Sequence, residues 1–149
     1  AILELSFFHT ARTDTRYSLI TDTNGLKADV RNKLSNNLNL TTTALGTAET
    51  GTRFTDDYEL ITISVSETVT YYFKRKYRVY SKVEFKRNQR SGYTETSFFD
   101  KNNGNVFKWN VDFDYKISNI TTAKLAYSGN SYPGKDDVHK IELEVKAEF

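Results

Sequence analysis

The chain has no cysteine among its 149 residues. A disulfide framework, a thiolate nucleophile and a cysteine-based metal site are thereby excluded. Histidine is nearly as scarce, with only His9 and His139, and proline occurs once, at Pro133. No apolar run approaches the ~20 residues that a membrane helix needs. Nor does the sequence open on a secretory signal; a mature chain starting at Ala1 would already have lost one. An excess of one charge is also missing, since 21 basic and 19 acidic residues leave +2. A nucleic-acid binder more often concentrates a basic excess on one stripe. Here lysines and carboxylates alternate within the same segments, so no nucleic-acid partner is expected. The length suits one domain, residues 1–149.

What the sequence does have is alternation. Apolar and polar residues exchange places with the period of two that marks a strand with two unlike faces. Val106–Ile117 is the cleanest case: Phe107, Trp109, Val111, Phe113, Tyr115 and Ile117 oppose Lys108, Asn110, Asp112, Asp114 and Lys116. In Val138–Phe149, His139, Ile141, Leu143, Val145, Ala147 and Phe149 oppose Lys140, Glu142, Glu144, Lys146 and Glu148. The same period predicts strands over Ile2–Ala11, Leu26–Ser35, Leu38–Thr50, Asp57–Phe73, Lys76–Asn88 and Ile120–Gly129. That makes eight strands, or ten if Tyr17–Thr21 and Tyr93–Phe99 also count.

The connections alternate in length. Ser35-Asn36-Asn37, Lys74-Arg75 and Ser118-Asn119 are tight and turn-compatible. Between them fall longer linkers, Arg12–Gly25, Gly51–Asp56, Gln89–Asn105 and Asn130–Asp137, which hold most of the glycines and Pro133. Val30–Asn36 resembles Phe113–Asn119, and each precedes a threonine-rich strand, as duplicated hairpins would.

Val138–Phe149 resembles the final strand of bacterial outer-membrane β-barrels. The matching positions are Ile141, Leu143, Val145, Ala147 and Phe149. In that family the alternating apolar residues and terminal phenylalanine are read by the barrel-assembly machinery. The short-long rhythm of the connections extends the resemblance over the whole chain, and the size is similar to small OmpA- or OmpX-like barrels. The resemblance implies an all-β, antiparallel, up-and-down transmembrane barrel of about eight strands in the bacterial outer membrane. Its partners would be the lipid bilayer and the assembly machinery. Its apolar face would meet lipid and its polar face would fill a lumen. Lys108, Asp112, Asp114, Lys116, Lys140, Glu142, Glu144 and Lys146 would form a lumenal ion-pair network. Tyr71, Phe73, Tyr77, Trp109, Phe113 and Tyr115 would form interfacial girdles. Glu67 shares the apolar face with Val65 and Val69. It must therefore sit near an interface, project beyond the bilayer, or occupy a bulge.

Catalysis is not expected. His139 follows Asp136 and Asp137, but no motif marks a nucleophile, and triads are defined by geometry. Asp112, Asp114, Glu142 and Glu144 show no calcium-loop spacing, and ion pairing with the neighbouring lysines is the simpler reading. Asn39-Leu40-Thr41 and Asn119-Ile120-Thr121 fit the glycosylation pattern, yet asparagine is expected at turns in any case. Lys74-Arg75-Lys76 is a basic cluster that could touch lipid phosphates. The expected function is a non-enzymatic barrel, structural, adhesive or partner-anchoring through its longer loops, with no cofactor or metal. One alternative is part of a larger pore-forming barrel, a porin or a sheath for a partner protein. Another is a soluble β-barrel that encloses the apolar face around a small hydrophobic ligand. Against the latter, no lipocalin-like Gly-x-Trp opening is present; the only tryptophan is Trp109.

Overall fold

A computed structural model of the protein describes residues 1–17, 19–53, 56–74, 76–92 and 103–147. These form one eight-stranded antiparallel sheet in strict chain order. The strands are β1 (Ile2–Asp14), β2 (Leu19–Lys33), β3 (Leu38–Arg53), β4 (Asp56–Phe73), β5 (Tyr77–Gly92), β6 (Gly104–Lys116), β7 (Thr121–Ser131) and β8 (Val138–Ala147). Each strand pairs only with its chain neighbours. The expected closed barrel is therefore replaced, among the described residues, by an open up-and-down sheet with β1 and β8 as its edges.

Three tight turns stand at one end of the sheet, and two are built alike. In the first, the Leu34 and Ser35 amides donate to the Leu38 carbonyl, and the Asn37 amide donates to Ser35 Oγ. In the other, the Ile117 and Ser118 amides donate to the Thr121 carbonyl, and the Ile120 amide donates to Ser118 Oγ. The resemblance between Val30–Asn36 and Phe113–Asn119 is thus also one of turn construction. Between them, the Lys76 amide closes a turn onto the Phe73 carbonyl, with Lys74 at a φ of 51°. Positive φ at the first central position belongs to the primed turns that suit the twist of a hairpin.

The opposite end corrects the sequence reading. Arg12–Gly25 and Gly51–Asp56 are not long loops. β1 runs on to Asp14, β2 already begins at Leu19, β3 continues to Arg53 and β5 to Gly92. A single 3-10 turn, Thr15–Tyr17, follows β1. Apolar alternation stops here because both faces turn polar, at Asp22, Thr23 and Asn24 on β2 and at Thr50 and Thr52 on β3. Backbone pairing needs no apolar side chain, so the ladder continues past the point where the pattern fades. Tyr93–Phe99 lies outside the described residues, as do Arg75, Glu148 and Phe149.

The two faces of the sheet differ sharply in burial. Among the described residues ten are buried: Leu19, Thr21, Asp29, Glu49, Tyr58, Leu60, Thr62, Asn88, Val106 and Asp112. Following the register from strand to strand, all ten fall on the face that carries Lys108 and Asp114. The sheet therefore curls with its polar face inward. Tyr58 shows how. Its ring lies directly over Gly51, where an added Cβ would meet Cε1 at 2.5 Å. That lets it pack with Leu60 and with Leu19, two strands away, while its hydroxyl donates to Glu49 Oε1 at 2.8 Å.

Candidate functional site

The apolar face is the exposed one. Leu3, Leu5, Phe7, Leu26, Ile61, Ile63, Val65, Val83, Phe85, Phe107, Val111, Phe113, Leu125, Ile141, Leu143 and Val145 all lie on it, with exposures of 37–82%. Together such side chains present on the order of 1,000 Å² or more of apolar surface, against the few hundred Å² usual on a soluble monomer.

This surface is a band rather than a whole face. Toward the tight turns it reaches Phe73, Tyr77 and Tyr115. Toward the other end it gives way to His9, Asn24, Glu59, Arg87, Asn105 and His139. The band also crosses the strands obliquely. On β1 its centre is Leu5, whose row runs through Ala28, Ala44, Val65, Phe85 and Phe107. On β8 its centre is Leu143, whose row runs through Leu125, Phe113, Val79, Tyr71 and Leu38. On β3 these rows cross at Ala44 and Leu38, so the centre drifts by six residues over seven strand intervals. At ~3.3 Å per residue and ~4.8 Å per strand, the strands tilt by about 30° from the normal of the band. Along β6, Phe107 to Tyr115 covers about 26 Å of strand.

Aromatic residues gather at both margins of the band. At the turn margin, the Tyr77 ring stacks on Tyr115 with centroids 4.8 Å apart, and lies 5.9 Å from Phe113 and 6.0 Å from Phe73. Tyr71 shares its row with Phe113 by way of Val79. Trp109 does not join this group. It sits toward the other margin, 5.5 Å from Phe107 and 5.6 Å from the His139 ring, which accepts or donates a 2.9 Å hydrogen bond with the Tyr127 hydroxyl. Its indole covers Gly129, where an added Cβ would fall 2.3 Å from the ring. An aromatic side chain laid over a cross-strand glycine shields a backbone that has no side chain of its own.

The polar face holds ion pairs, partly between other residues than those expected. Asp112 accepts from Lys124 Nζ at 2.9 Å, and Asp114 from Arg78 Nε at 2.6 Å. Sequence reasoning missed both Lys124 and Arg78. Lys140 pairs with Glu142 at 2.7 Å and Lys146 with Glu144 at 3.3 Å, but along β8 rather than across strands. Lys108 lies 5.7 Å over the Tyr132 ring, and Lys116 is exposed where β6 ends. Farther along the same face, Asp29 accepts from Lys27 Nζ and Thr43 Oγ1, both at 2.6 Å. Ile141, Leu143, Val145 and Ala147 line the apolar side of β8.

Glu67 stands in the middle of the band in regular register with Thr42 and Val83, so, against expectation, it is neither at a margin, nor beyond the band, nor in a bulge. Instead its carboxylate accepts a 2.8 Å hydrogen bond from Thr42 Oγ1, directly across the strand pair. His139 takes Tyr127 as its partner, and no ion pair joins it to Asp136 or Asp137 among the described residues. Nor do three or more His, Asp or Glu come together there in a metal-binding arrangement. A cleft of about 570 Å³ beyond the band is lined by Ile20, Asp22, Thr50, Asp57, Tyr58 and Glu59. Searches of protein-family models and of curated proteins found no match to this chain.

Proposed function

We propose that this chain is a non-enzymatic wall of an outer-membrane β-barrel, with its apolar band against lipid and its charged face toward a lumen. The observation that carries this reading is the inverted burial. The ten sheltered residues lie on the polar face, while the apolar side chains of the opposite face are left outside. A soluble barrel would enclose the opposite face. The oblique band supports the same reading, because transmembrane strands are tilted and their apolar belt is ~25 Å tall. Rigid structural or partner-anchoring work would then fall to the rim where β2–β5 run past the band.

The open edges favour a second form of this reading. Lipid offers no hydrogen bonds, so a spanning sheet cannot leave edge amides and carbonyls unpaired. β1 and β8 must pair with each other or with strands of a larger barrel. In the second case the chain is one sector of a pore or sheath.

Trp109 tests the membrane assignment without any engineered probe. In folded protein reconstituted into vesicles, its fluorescence should be blue-shifted and quenched by brominated acyl chains. A chain that stays in the aqueous phase, with unquenched tryptophan, would contradict the proposal and favour the soluble barrel.

A further inference from the structure

The tight turns of the sheet carry charge of one sign only. Four exposed lysines occupy the tight-turn end: Lys33 closes β2, Lys74 and Lys76 flank the β4–β5 turn, and Lys116 closes β6. Residues 33–38, 73–77 and 116–121 contain no aspartate or glutamate. Among the described residues none of the four lysines forms an ion pair, whereas Lys27, Lys82, Lys124, Lys140 and Lys146 all do. The other end mixes both signs, with Asp14, Asp22, Asp57, Glu59, Asp136 and Asp137 beside Arg12, Arg16, Arg87, Arg90 and Lys135. Lys74, Lys76 and Lys116 stand immediately outside the row of Phe73, Tyr77 and Tyr115, and Lys74 Nζ lies 5.1 Å over the Phe73 ring.

We infer that the tight-turn end binds the headgroups of anionic phospholipids. This inference rests on the membrane reading and adds a lipid class and a polarity to it. The lysines are spread along the rim of β2, β4, β5 and β6 instead of converging on a pocket, so their ligand is a surface. They adjoin aromatic residues and then an apolar band, an order that matches phosphate, interface and acyl chain. A nucleic acid or an acidic protein would meet the charges but would leave the adjoining band uncovered. Long lysine stems can lie along the aromatic row with their ammonium groups raised to the phosphates.

The test is partitioning of the full chain between buffer and vesicles. One set is phosphatidylcholine alone; the other contains about one third phosphatidylglycerol. Binding should be at least about tenfold stronger to the anionic vesicles at low salt, and high salt should erase the difference. The variant Lys33→Gln/Lys74→Gln/Lys76→Gln/Lys116→Gln should lose this preference, at up to about fivefold per lysine, while its binding to phosphatidylcholine is unchanged. Lys135→Gln, at the opposite end, should keep it. Equal binding of the wild type to both vesicles would overturn the inference and leave the membrane reading intact. So would a preference that survives the fourfold change or disappears with Lys135→Gln. No binding to either vesicle would overturn both.

Discussion

Asp112 and Glu144 show how far burial decides what a charge is worth. Both are carboxylates on the polar face, and both have a lysine partner. Asp112 is only 9% exposed and is held across strands by Lys124, whereas the Glu144 and Lys146 side chains are 51% and 72% exposed. Removing one partner of a sheltered pair leaves the other without compensation; an exposed pair gains little at any time. Asp112→Ala should therefore lower the stability of the folded protein by about 1–3 kcal/mol, and Glu144→Ala by less than ~0.5 kcal/mol. Denaturant titrations in one detergent would read both, and equal midpoints would contradict the ranking. Tyr58, outside the band, makes a second residue-scale test. Burial, and then its bond to Glu49, raises the phenol's pKa above the ordinary value of 10.0. The folded state thus holds this proton more tightly than the unfolded chain does. The stability it contributes is complete below pH 10 and declines as the pH rises above that. Tyr58→Phe should cost about 1–2 kcal/mol at neutral pH, because Glu49 loses a donor, and should flatten the alkaline decline. An unchanged slope above pH 10 would show that Tyr58 does not carry it.

At the scale of elements, turns and strands obey different rules. Lys74 takes a φ of 51°, a region in which a side chain is strained and glycine is not. Lys74→Gly should raise hairpin stability by a few tenths to about 1 kcal/mol, while Lys76→Gly should lower it. Melting curves that move the same way for both would contradict the turn geometry. The tight turns and the strand count were legible in the sequence, since Ser-Asn pairs and a period of two speak directly to backbone geometry. Counting outward from Ser118-Asn119 as a two-residue turn would place Lys124 opposite Phe113; the turn closes instead between Ile117 and Thr121, which sets Lys124 opposite Asp114, so this missed lysine needed the observed register. The starts of β2 and ends of β3 and β5 were not legible. Residues such as Asp22, Asn24 and Thr52 look like loop, and only the ladder of their neighbours makes them strand. Trp109 was grouped with Tyr77 by type, but the register puts it with Tyr127 and His139, which local pattern could not show.

For the whole molecule, inverted burial and the oblique band are properties of the assembled sheet and invisible in any single strand. The alternation of β6 fits a soluble sandwich as well as a barrel; only the curl of the sheet tells which face is sheltered. The chain's lack of cysteine makes the question directly measurable, since each introduced cysteine is unique. The most direct test is a cysteine scan through residues 106–115, with Leu5 and Leu143 added, each site labelled with a fluorophore and read by nitroxide-lipid quenching in vesicles. Quenching should alternate, strong at Phe107, Trp109, Val111, Phe113 and Tyr115 and weak at Lys108, Asn110, Asp112 and Asp114. Leu5 and Leu143 should report the same depth as Val111, although their rows lie six residues apart on β3. Alternation in the opposite phase, or no quenching at any site, would contradict the membrane-facing band.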